Sequence, residues 1–244
     1  MPGSRCSGRL RDPALQRFLD DPKVVEVSVN RPGQVYVERL GADQMEFHEI
    51  PALTTAEIVN VGERVAAATN QFISAANPIL SVALPSGERI QIVLPPAAPD
   101  GGAISIRKQV VSDFRLEDYR DNGSLGQVSV ALGGLSDADR ALIEHLRRHD
   151  IYGFMRTAIL NRVSMLISGG TSSGKTTFLN ACLKSVDPHE RVITLEDTRE
   201  LFPPQPNAVH LLASKGNQGT ASVTIQSLLE ASLRMRPVGF SSER

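Results

Sequence analysis

The sequence predicts an α/β protein in which a smaller α+β domain precedes a domain built on a strand, a glycine-rich turn and a helix. Near the N-terminus, two segments of alternating apolar residues are joined by turn residues. A stretch without periodicity occupies the middle of the chain, and after it an apolar segment leads through a glycine-rich loop into a helical pattern. The chain has 244 residues, 41% of them hydrophobic, which is enough for a buried core in each domain.

The composition narrows the class of protein. The 26 Lys and Arg residues are balanced by 27 Asp and Glu residues, so the net charge of -1 gives no indication of direct, sequence-specific binding to nucleic acid. Two cysteines far apart in the sequence, Cys6 and Cys182, do not suggest a disulfide framework. The sequence contains no apolar run of about 18 residues and no signal-peptide pattern. We therefore expect a cytoplasmic protein, attached at most peripherally to a membrane.

The N-terminal domain is predicted to contain two β-hairpins, a third strand and a covering helix. The segments VVEVSVN and QVYVER flank a turn at residues 31–33, and ILSVAL and ERIQIVLPP flank a second turn at residues 85–87. Residues 103–109 read as a short further strand. Residues 54–73 have helical spacing of apolar side chains, namely Ile58, Val61, Val65 and Phe72.

Residues 111–135 are predicted to connect a first domain at 1–110 with a second domain at 136–244. The segment lacks periodicity and contains Asn122-Gly123 and Gly133-Gly134, which are typical of turns and loops. The second domain is expected to open with a helix, because a serine and an aspartate three residues apart form a capping box before ALIEHLRRH. A strand VSMLIS at 163–168, a helix TFLNACLKSV and a buried strand RVITLED are predicted to follow.

A phosphate-binding loop lies between that strand and that helix. Gly169, Gly174, Lys175 and Thr176 satisfy the pattern G-x-x-x-x-G-K-[ST]. Glycines allow successive backbone N–H groups to surround a phosphate, and the helix N-terminus adds about half a positive charge. The lysine provides a cation for the β- and γ-phosphates, and the threonine hydroxyl provides a ligand for Mg²⁺. The motif therefore predicts that ATP·Mg²⁺ is the ligand.

Further segments resemble one family of ATPases. The stretch RVITLEDTREL at 191–201 resembles the acidic "Asp box" of secretion traffic ATPases, and LLEASLRMRP at 228–237 resembles the segment before their Walker B strand. VVEVSVNRPGQVYVER, ERIQIVLPP and AISIRK resemble the N-terminal domain of the same family. The resemblance to the traffic ATPases of conjugation and type IV secretion covers about residues 14–237. Within this family it is closest to the conjugal-transfer ATPases of the TrbB type.

The resemblance implies a hexameric ring whose subunits bind and hydrolyse ATP in a cleft between the N-terminal domain and a RecA-like C-terminal domain. The ring would power conjugal DNA transfer, type IV secretion or pilus assembly together with other subunits of the apparatus. Lys175, Glu196 and Asp197 would be catalytic, with Thr176 and Glu196 at the metal, and Arg89 and Arg107 would contact the phosphates. The loop residues implied in phosphate binding are Gly169, Gly170, Thr171, Ser172, Ser173, Gly174, Lys175, Thr176 and Thr177.

Two features depart from the family pattern. Ser172 stands where the family has a third glycine, which predicts weaker nucleotide binding if that position needs a positive φ. After Pro237 the family continues with an Asp-Arg pair, an apolar strand and Gly-Glu, whereas this chain reads VGFSSER. We therefore expect a RecA-like domain that is truncated before the Walker B carboxylate, with slow ATP turnover or none and no stable hexamer.

Two other functions remain open from the sequence. The first alternative is a catalytically inactive ring component that acts through subunit contacts. The second alternative is a small-molecule P-loop kinase. The kinase is disfavoured, because no lid-like arginine cluster follows the loop and the N-terminal domain has no role in a kinase. A measurement of ATP binding separates the first alternative from a working ATPase.

Overall fold

The computed structural model describes residues 13–84, 87–108, 117, 121, 134–170, 173–214, 220–236 and 239–242. The helices are α1 (Pro13–Asp20), α2 (Thr55–Ala68), α3 (Asp137–Arg147), α4 (Ile151–Leu160), α5 (Lys175–Leu183) and α6 (Ile225–Ser232). The strands are β1 (Val24–Arg31), β2 (Gln34–Arg39), β3 (Glu46–Glu49), β4 (Ile79–Ala83), β5 (Arg89–Val93), β6 (Ala103–Arg107), β7 (Val192–Glu196), β8 (Ala208–Leu212) and β9 (Gly239–Ser242).

The chain forms two compact units. The first takes its residues from Met1–Val110 and Pro188–Arg244, and the second is Val111–Asp187. One border coincides with the predicted end of the N-terminal domain at residue 110. The residues predicted as a second domain, 136–244, are divided between the two units, because β7, β8 and α6 share a hydrophobic core with part of the N-terminal sheet. The domain limits read from the sequence stay a prediction.

A six-stranded antiparallel sheet forms the framework of the first unit, in the order β3-β2-β1-β6-β5-β4. The pairs β1–β2 and β4–β5 are the two predicted hairpins, and β6 is the predicted third strand, so this part of the sequence reading is confirmed. In the first hairpin, Gly33 has a φ of +78°, a backbone conformation that glycine adopts without a steric penalty.

Helices α1 and α2 cover the apolar face of this sheet, where valine and isoleucine side chains of β1, β2, β5 and β6 are buried. The side chain of Thr54 begins α2 by accepting the backbone N–H of Glu57 at 3.3 Å. The prediction that this helix extends to residue 73 was wrong. Asn70 turns to a φ of +55°, which ends the helix as a left-handed residue commonly does, and Phe72 is 72% exposed.

The opposite face of the antiparallel sheet is polar but buried. Ser28, Ser105 and Gln91 lie side by side across β1, β6 and β5, and each is at most 1% exposed. Glu26 lies on the same face and accepts a hydrogen bond from Ser105 Oγ at 2.8 Å. Buried polar groups of this kind persist where partners satisfy them.

The first unit also contains a three-stranded parallel sheet in the order β8-β7-β9. All five residues of β7 are buried, which confirms the buried strand predicted from RVITLED. Its apolar face packs with α6 and with residues at the ends of β5 and β6, through Val93, Ala103, Ile193, Leu195, Val209, Leu211, Leu228 and Ala231. Helix α6 begins with a capping box between Thr224 and Ser227.

A buried arginine joins β1 to the parallel sheet. Arg191 is 2% exposed and donates from Nε to the carbonyl oxygen of Met235 at 2.8 Å. Its Nη1 donates to the side-chain oxygens of Asn30 and Asn207, the latter at 2.7 Å. The two asparagines are themselves bonded, Asn30 Nδ2 to Asn207 Oδ1, at 2.8 Å. Burial lowers the pKa of Arg191 to about 10, so its guanidinium remains protonated at neutral pH.

In the second unit, α3 begins as predicted with a capping box between Ser136 and Asp139. Side-chain hydrogen bonds stabilise the connection between α3 and α4. His145 Nδ1 lies 2.9 Å from Asp150 Oδ2, and its Nε2 lies 3.2 Å from Thr157 Oγ1. Asp150 also accepts the N–H of Gly153 at 2.8 Å, and this bond, with the contact to His145, lowers the pKa of Asp150.

The predicted strand at 163–168 is not formed. Within the residues that the structure describes, the second unit is helical and pairs no segment with 163–168. Leu166 is 96% exposed and Met165 41% exposed, whereas a strand of a parallel sheet is buried on both faces and bonded to a neighbour. An apolar segment without such a neighbour does not become a strand. Among the described helices, none is both long enough and apolar enough to cross a membrane.

Candidate phosphate-binding site

The phosphate loop of the second unit leads directly into α5. Gly174 has a φ of +84° and Lys175 is the first residue of the helix. The backbone N–H groups of a helix's first turn lack partners within the helix and carry its positive dipole end. A Cβ at Gly169 would lie 2.5 Å from Ser173 Oγ and 3.3 Å from Ser173 Cβ, so a larger residue there would force Ser173 to shift. Thr171 and Ser172 lie outside the described residues, and the strain expected at Ser172 stays a prediction.

Lys175 folds back over the loop. Its ammonium group donates to the carbonyl oxygens of Gly169 at 2.8 Å and Gly170 at 2.7 Å. These contacts hold a cation above the loop whose amides would meet a phosphate. Thr176 and Thr177 follow in the first turn of α5, where the motif expects a hydroxyl ligand for a metal.

Arg89 and Arg107 are direct cross-strand neighbours on β5 and β6. Both are exposed, and two cations placed opposite each other repel. On the other side of β6, Glu26 of β1 lies opposite Arg107, and its Oε2 accepts a hydrogen bond from Arg107 Nε–H at 3.3 Å. This negative charge reduces the repulsion between the two arginines. The side chain of Arg107 keeps 49% of its surface accessible, while that of Glu26 is buried. The pair therefore presents two guanidinium groups that suit an anionic ligand.

The two predicted carboxylates differ in their surroundings. Glu196 ends β7, is fully buried, and accepts through Oε1 the backbone N–H groups of Glu200 at 2.7 Å and Leu201 at 2.8 Å. Its Oε2 is also buried and makes no hydrogen bond to any described group. Asp197 is exposed.

The predicted site residues are divided into two sets. The phosphate loop belongs to the second unit, while the arginine pair and the two carboxylates belong to the first. The approach of these groups to one nucleotide stays a prediction.

The sequence reading missed the structural surroundings of two buried polar side chains in the first unit. His210 is buried, with its Nδ1 2.9 Å from Thr194 Oγ1, and burial lowers its pKa. The alternation of AVHLL gave a signal, because it places His210 on the face opposite Val209 and Leu211. Arg191 was read only as part of the Asp-box segment. The one feature of the sequence that could have indicated its burial is its position as a charged residue directly before a buried strand.

Comparison with known proteins gives the context of this site. Residues 145–238 match the family described as type II/IV secretion system protein. The type IV secretion system protein VirB11 of Bartonella henselae is 40% identical over 235 residues, covering 91% of this chain and 65% of that protein. VirB11 of Brucella suis is 38% identical over 227 residues, covering 91% of this chain and 62% of that protein.

A solved structure agrees with this. The VirB11 ATPase of the Brucella suis type IV secretion system, crystallised in complex with sulphate, superposes with a TM-score of 0.85. It is 37% identical and is matched over 93% of this chain and 68% of its own length. These similarities define the class of protein as the secretion traffic ATPases. The chain belongs to the type IV secretion traffic ATPase family, and it spans about 65% of the length of the VirB11 of Bartonella henselae.

Proposed function

We propose that this chain is an ATP-binding subunit of a VirB11-type traffic ATPase, with a RecA-like nucleotide-binding core. The observation that carries this proposal is the position of Lys175, whose ammonium is held by two carbonyls of a glycine loop at the start of α5. A cation and a helix N-terminus that meet at one glycine-rich loop favour the binding of a polyphosphate. The VirB11 ATPase of Brucella suis was solved with sulphate, a tetrahedral dianion like phosphate, which supports an anion-binding role in the family.

Mg²⁺ fits part of the predicted ligand set. The hydroxyl of Thr176 stands in the first turn of α5, where the motif places a metal ligand. Glu196 fits less well, since its side chain is fully buried and one oxygen already accepts two backbone N–H groups. Mg²⁺ would neutralise charge on the β- and γ-phosphates when bound with ATP. Lys175 would supply the protein's own cation to the same oxygens.

Arg107 and Arg89 are proposed as the groups of the N-terminal sheet that detect the terminal phosphate. We expect Arg107→Ala to lower the affinity for ATP by about 10-fold and the affinity for ADP by less, because a charged contact to phosphate contributes about 1.5 kcal/mol or more. Calorimetric titration with both nucleotides measures the difference. Arg64→Ala is the matched control, since Arg64 also pairs with a glutamate, at 2.9 Å, on the surface of α2 in the same unit. Equal losses for ATP and ADP would place Arg107 away from the γ-phosphate.

The family also suggests an oligomeric state and a cellular location for this chain, and we offer both as proposals. We propose that this chain takes part in a homo-oligomeric ring, hexameric as the resemblance implies, that works with other subunits of a type IV secretion or conjugation apparatus. The sequence predicts that the chain by itself forms no stable hexamer. A cytoplasmic position, with peripheral contact to the inner membrane, suits such a ring. The family implies hydrolysis of ATP at the same loop, and the sequence predicts that turnover by this chain is slow or absent. Release of phosphate by the purified chain in the presence of Mg²⁺ measures that turnover.

A further inference from the structure

A pocket of about 300 Å³ lies at one edge of the antiparallel sheet, within the first unit. Its lining comes from β2 and β3 and from the residues before β7 and β8, and includes Gln34, Tyr36, Met45, Phe47 and Asn207. Lysine, arginine, aspartate and glutamate do not occur in the described lining. A buried charge is costly without a partner, so the pocket suits an uncharged group.

Two aromatic rings line the pocket side by side. Tyr36 and Phe47 are direct cross-strand neighbours, and their ring centroids lie 5.3 Å apart at an angle of 49°. Tyr36 is buried, whereas Phe47 is 53% exposed. A further aromatic ring in the pocket would cover Phe47 and pack against it in the offset or edge-on geometries that aromatic pairs prefer.

Two polar groups of the lining lack a strong partner. Gln34 Oε1 is buried and accepts no hydrogen bond from any described group. Asn207 Nδ2 donates to Met45 Sδ at 3.6 Å, and a thioether is a weak acceptor. Asn207 Oδ1 already accepts from Arg191 and Asn30. The pocket therefore offers one acceptor and one donor, and the hydroxyl of a tyrosine, which both donates and accepts, can satisfy the two.

The pocket borders an open strand edge. β3 ends the antiparallel sheet, and among the described residues it pairs only with β2. Directly after β3, the N–H of Ile50 donates to the carbonyl of Gly33 at 2.8 Å. Because alternate residues of an antiparallel strand bond to the same neighbour, the backbone groups of Phe47 and Glu49 point away from β2. An extended peptide can pair with this edge while one of its side chains enters the pocket.

The charge along this edge selects the kind of peptide. Asp43, Glu46 and Glu49 are exposed there. A second copy of this chain would bring the same carboxylates to the edge, and like charges across paired strands repel. A segment with lysine residues is attracted instead.

We propose that this pocket and the edge of β3 bind an extended, basic segment of a partner protein through a tyrosine. The tyrosine ring packs against Phe47, and its hydroxyl donates to Gln34 Oε1 and accepts from Asn207 Nδ2. The backbone of the segment pairs with β3. This inference goes beyond the ATP-binding function and does not depend on it, because every residue involved belongs to the first unit.

The probe is a short synthetic peptide in which a central tyrosine is flanked by threonine, valine and lysine residues, and its counterpart has phenylalanine in place of tyrosine. Fluorescence anisotropy of the labelled peptides with the full chain measures both affinities. We expect the phenylalanine peptide to bind about fivefold more weakly or worse, because it leaves a buried donor and acceptor unpaired. In Gln34→Leu this difference should fall to about twofold or less. Equal affinities for the two peptides, or no binding of the tyrosine peptide at millimolar concentration, would overturn the proposal.

Phe47→Ser tests the position of the site, with Phe72→Ser as the matched control. Phe72 is also exposed in the first unit, but it follows the end of α2, which covers the other face of the sheet. We expect Phe47→Ser to weaken binding of the tyrosine peptide by about fivefold or more and Phe72→Ser to leave it within about twofold. The same loss in both variants would mean that the peptide does not bind at this pocket.

Hydrogen exchange tests the pairing with β3. We expect the tyrosine peptide to slow exchange at the backbone amides of Phe47 and Glu49 by about tenfold, since both would gain acceptors. Unchanged exchange at saturating peptide would contradict the strand pairing. Adenosine that binds more tightly than the tyrosine peptide, and competes with it, would assign the pocket to a nucleobase instead. A dimer of the full chain that Phe47→Ser dissociates would assign the edge to a second copy, and either result would overturn the proposal.

Discussion

Lys175→Ala is expected to reduce the affinity for ATP·Mg²⁺ by about 10- to 150-fold. A charged contact to phosphate contributes about 1.5 to 3 kcal/mol, because the attraction is only partly offset by removing water from the ammonium. In the structure this ammonium bonds to the carbonyl oxygens of Gly169 and Gly170. Bound phosphate would compete for the same donors, so the change removes a group that is already directed at the loop. Calorimetric titration with ATP in excess Mg²⁺ measures the loss.

Lys184→Ala is the matched control for this prediction. Lys184 follows the last residue of α5 and is exposed at the far end of the helix from the loop. It carries the same charge but lies near the negative end of the helix dipole, where an anion is not favoured. We expect its substitution to leave ATP affinity within about twofold of the unsubstituted chain. Equal affinities for Lys175→Ala and the unsubstituted chain would rule out the loop as the ATP site.

Local patterns in the sequence were sufficient for the N-terminal hairpins. The turn at Gly33 and the alternation on both sides of it lie within a few residues of one another, and the pairing Val29↔Val35 follows from them. The end of α2 was missed for a local reason as well. Phe72 continues the helical spacing, but Asn70 adopts a left-handed conformation, which asparagine adopts more readily than most non-glycine residues, and this outweighs the periodicity.

Features that depend on distant residues could not be read from the sequence. The segment at 163–168 is apolar enough for a buried strand, yet a strand forms only where a neighbour bonds to it, and the pattern does not say whether one is present. Glu196 was recognised as a carboxylate at the end of a strand. Its acceptance of the N–H groups of Glu200 and Leu201 depends on the path of the loop, which no motif records. The phosphate loop itself was recognisable, because its residues are contiguous.

Arg191 illustrates the same limit with a large energetic effect. Its acceptors are separated from it by 161 positions at Asn30 and by 44 positions at Met235. In isolation, the sequence around it reads only as the start of a strand. The folded chain places the guanidinium among three oxygen acceptors and buries it, with the carboxylate of Glu26 as a favourable charge nearby. Burial alone lowers the pKa of this group, so the hydrogen bonds and Glu26 must offset a substantial desolvation cost.

Arg191→Met is therefore expected to lower the free energy of unfolding of the first unit by about 3 to 5 kcal/mol. The change keeps an unbranched apolar stem but leaves the side-chain oxygen of Asn30 and the carbonyl of Met235 without a donor, while Asn207 Oδ1 keeps only the hydrogen bond from Asn30 Nδ2. Each buried unpaired group costs about 1 to 3 kcal/mol. Arg191→Lys is expected to recover only part of the loss, since one ammonium cannot reproduce the planar fork that reaches separate acceptors. Urea denaturation followed by circular dichroism measures both variants.

Arg199→Met provides the comparison that separates burial from charge. Arg199 also bonds to a carboxylate, Asp100 at 2.7 Å, but its side chain is 37% exposed, and pairs of this kind contribute about 0 to 1 kcal/mol. If both arginine variants lose the same small amount, the Arg191 network contributes no more than a surface ion pair. If only Arg191→Met is strongly destabilised, β1 and the parallel sheet are held together by this buried cation and its three acceptors. An Asn30→Ala substitution in the Arg191→Met background should then cost less than in the unsubstituted chain, because the acceptor it removes has already lost its partner.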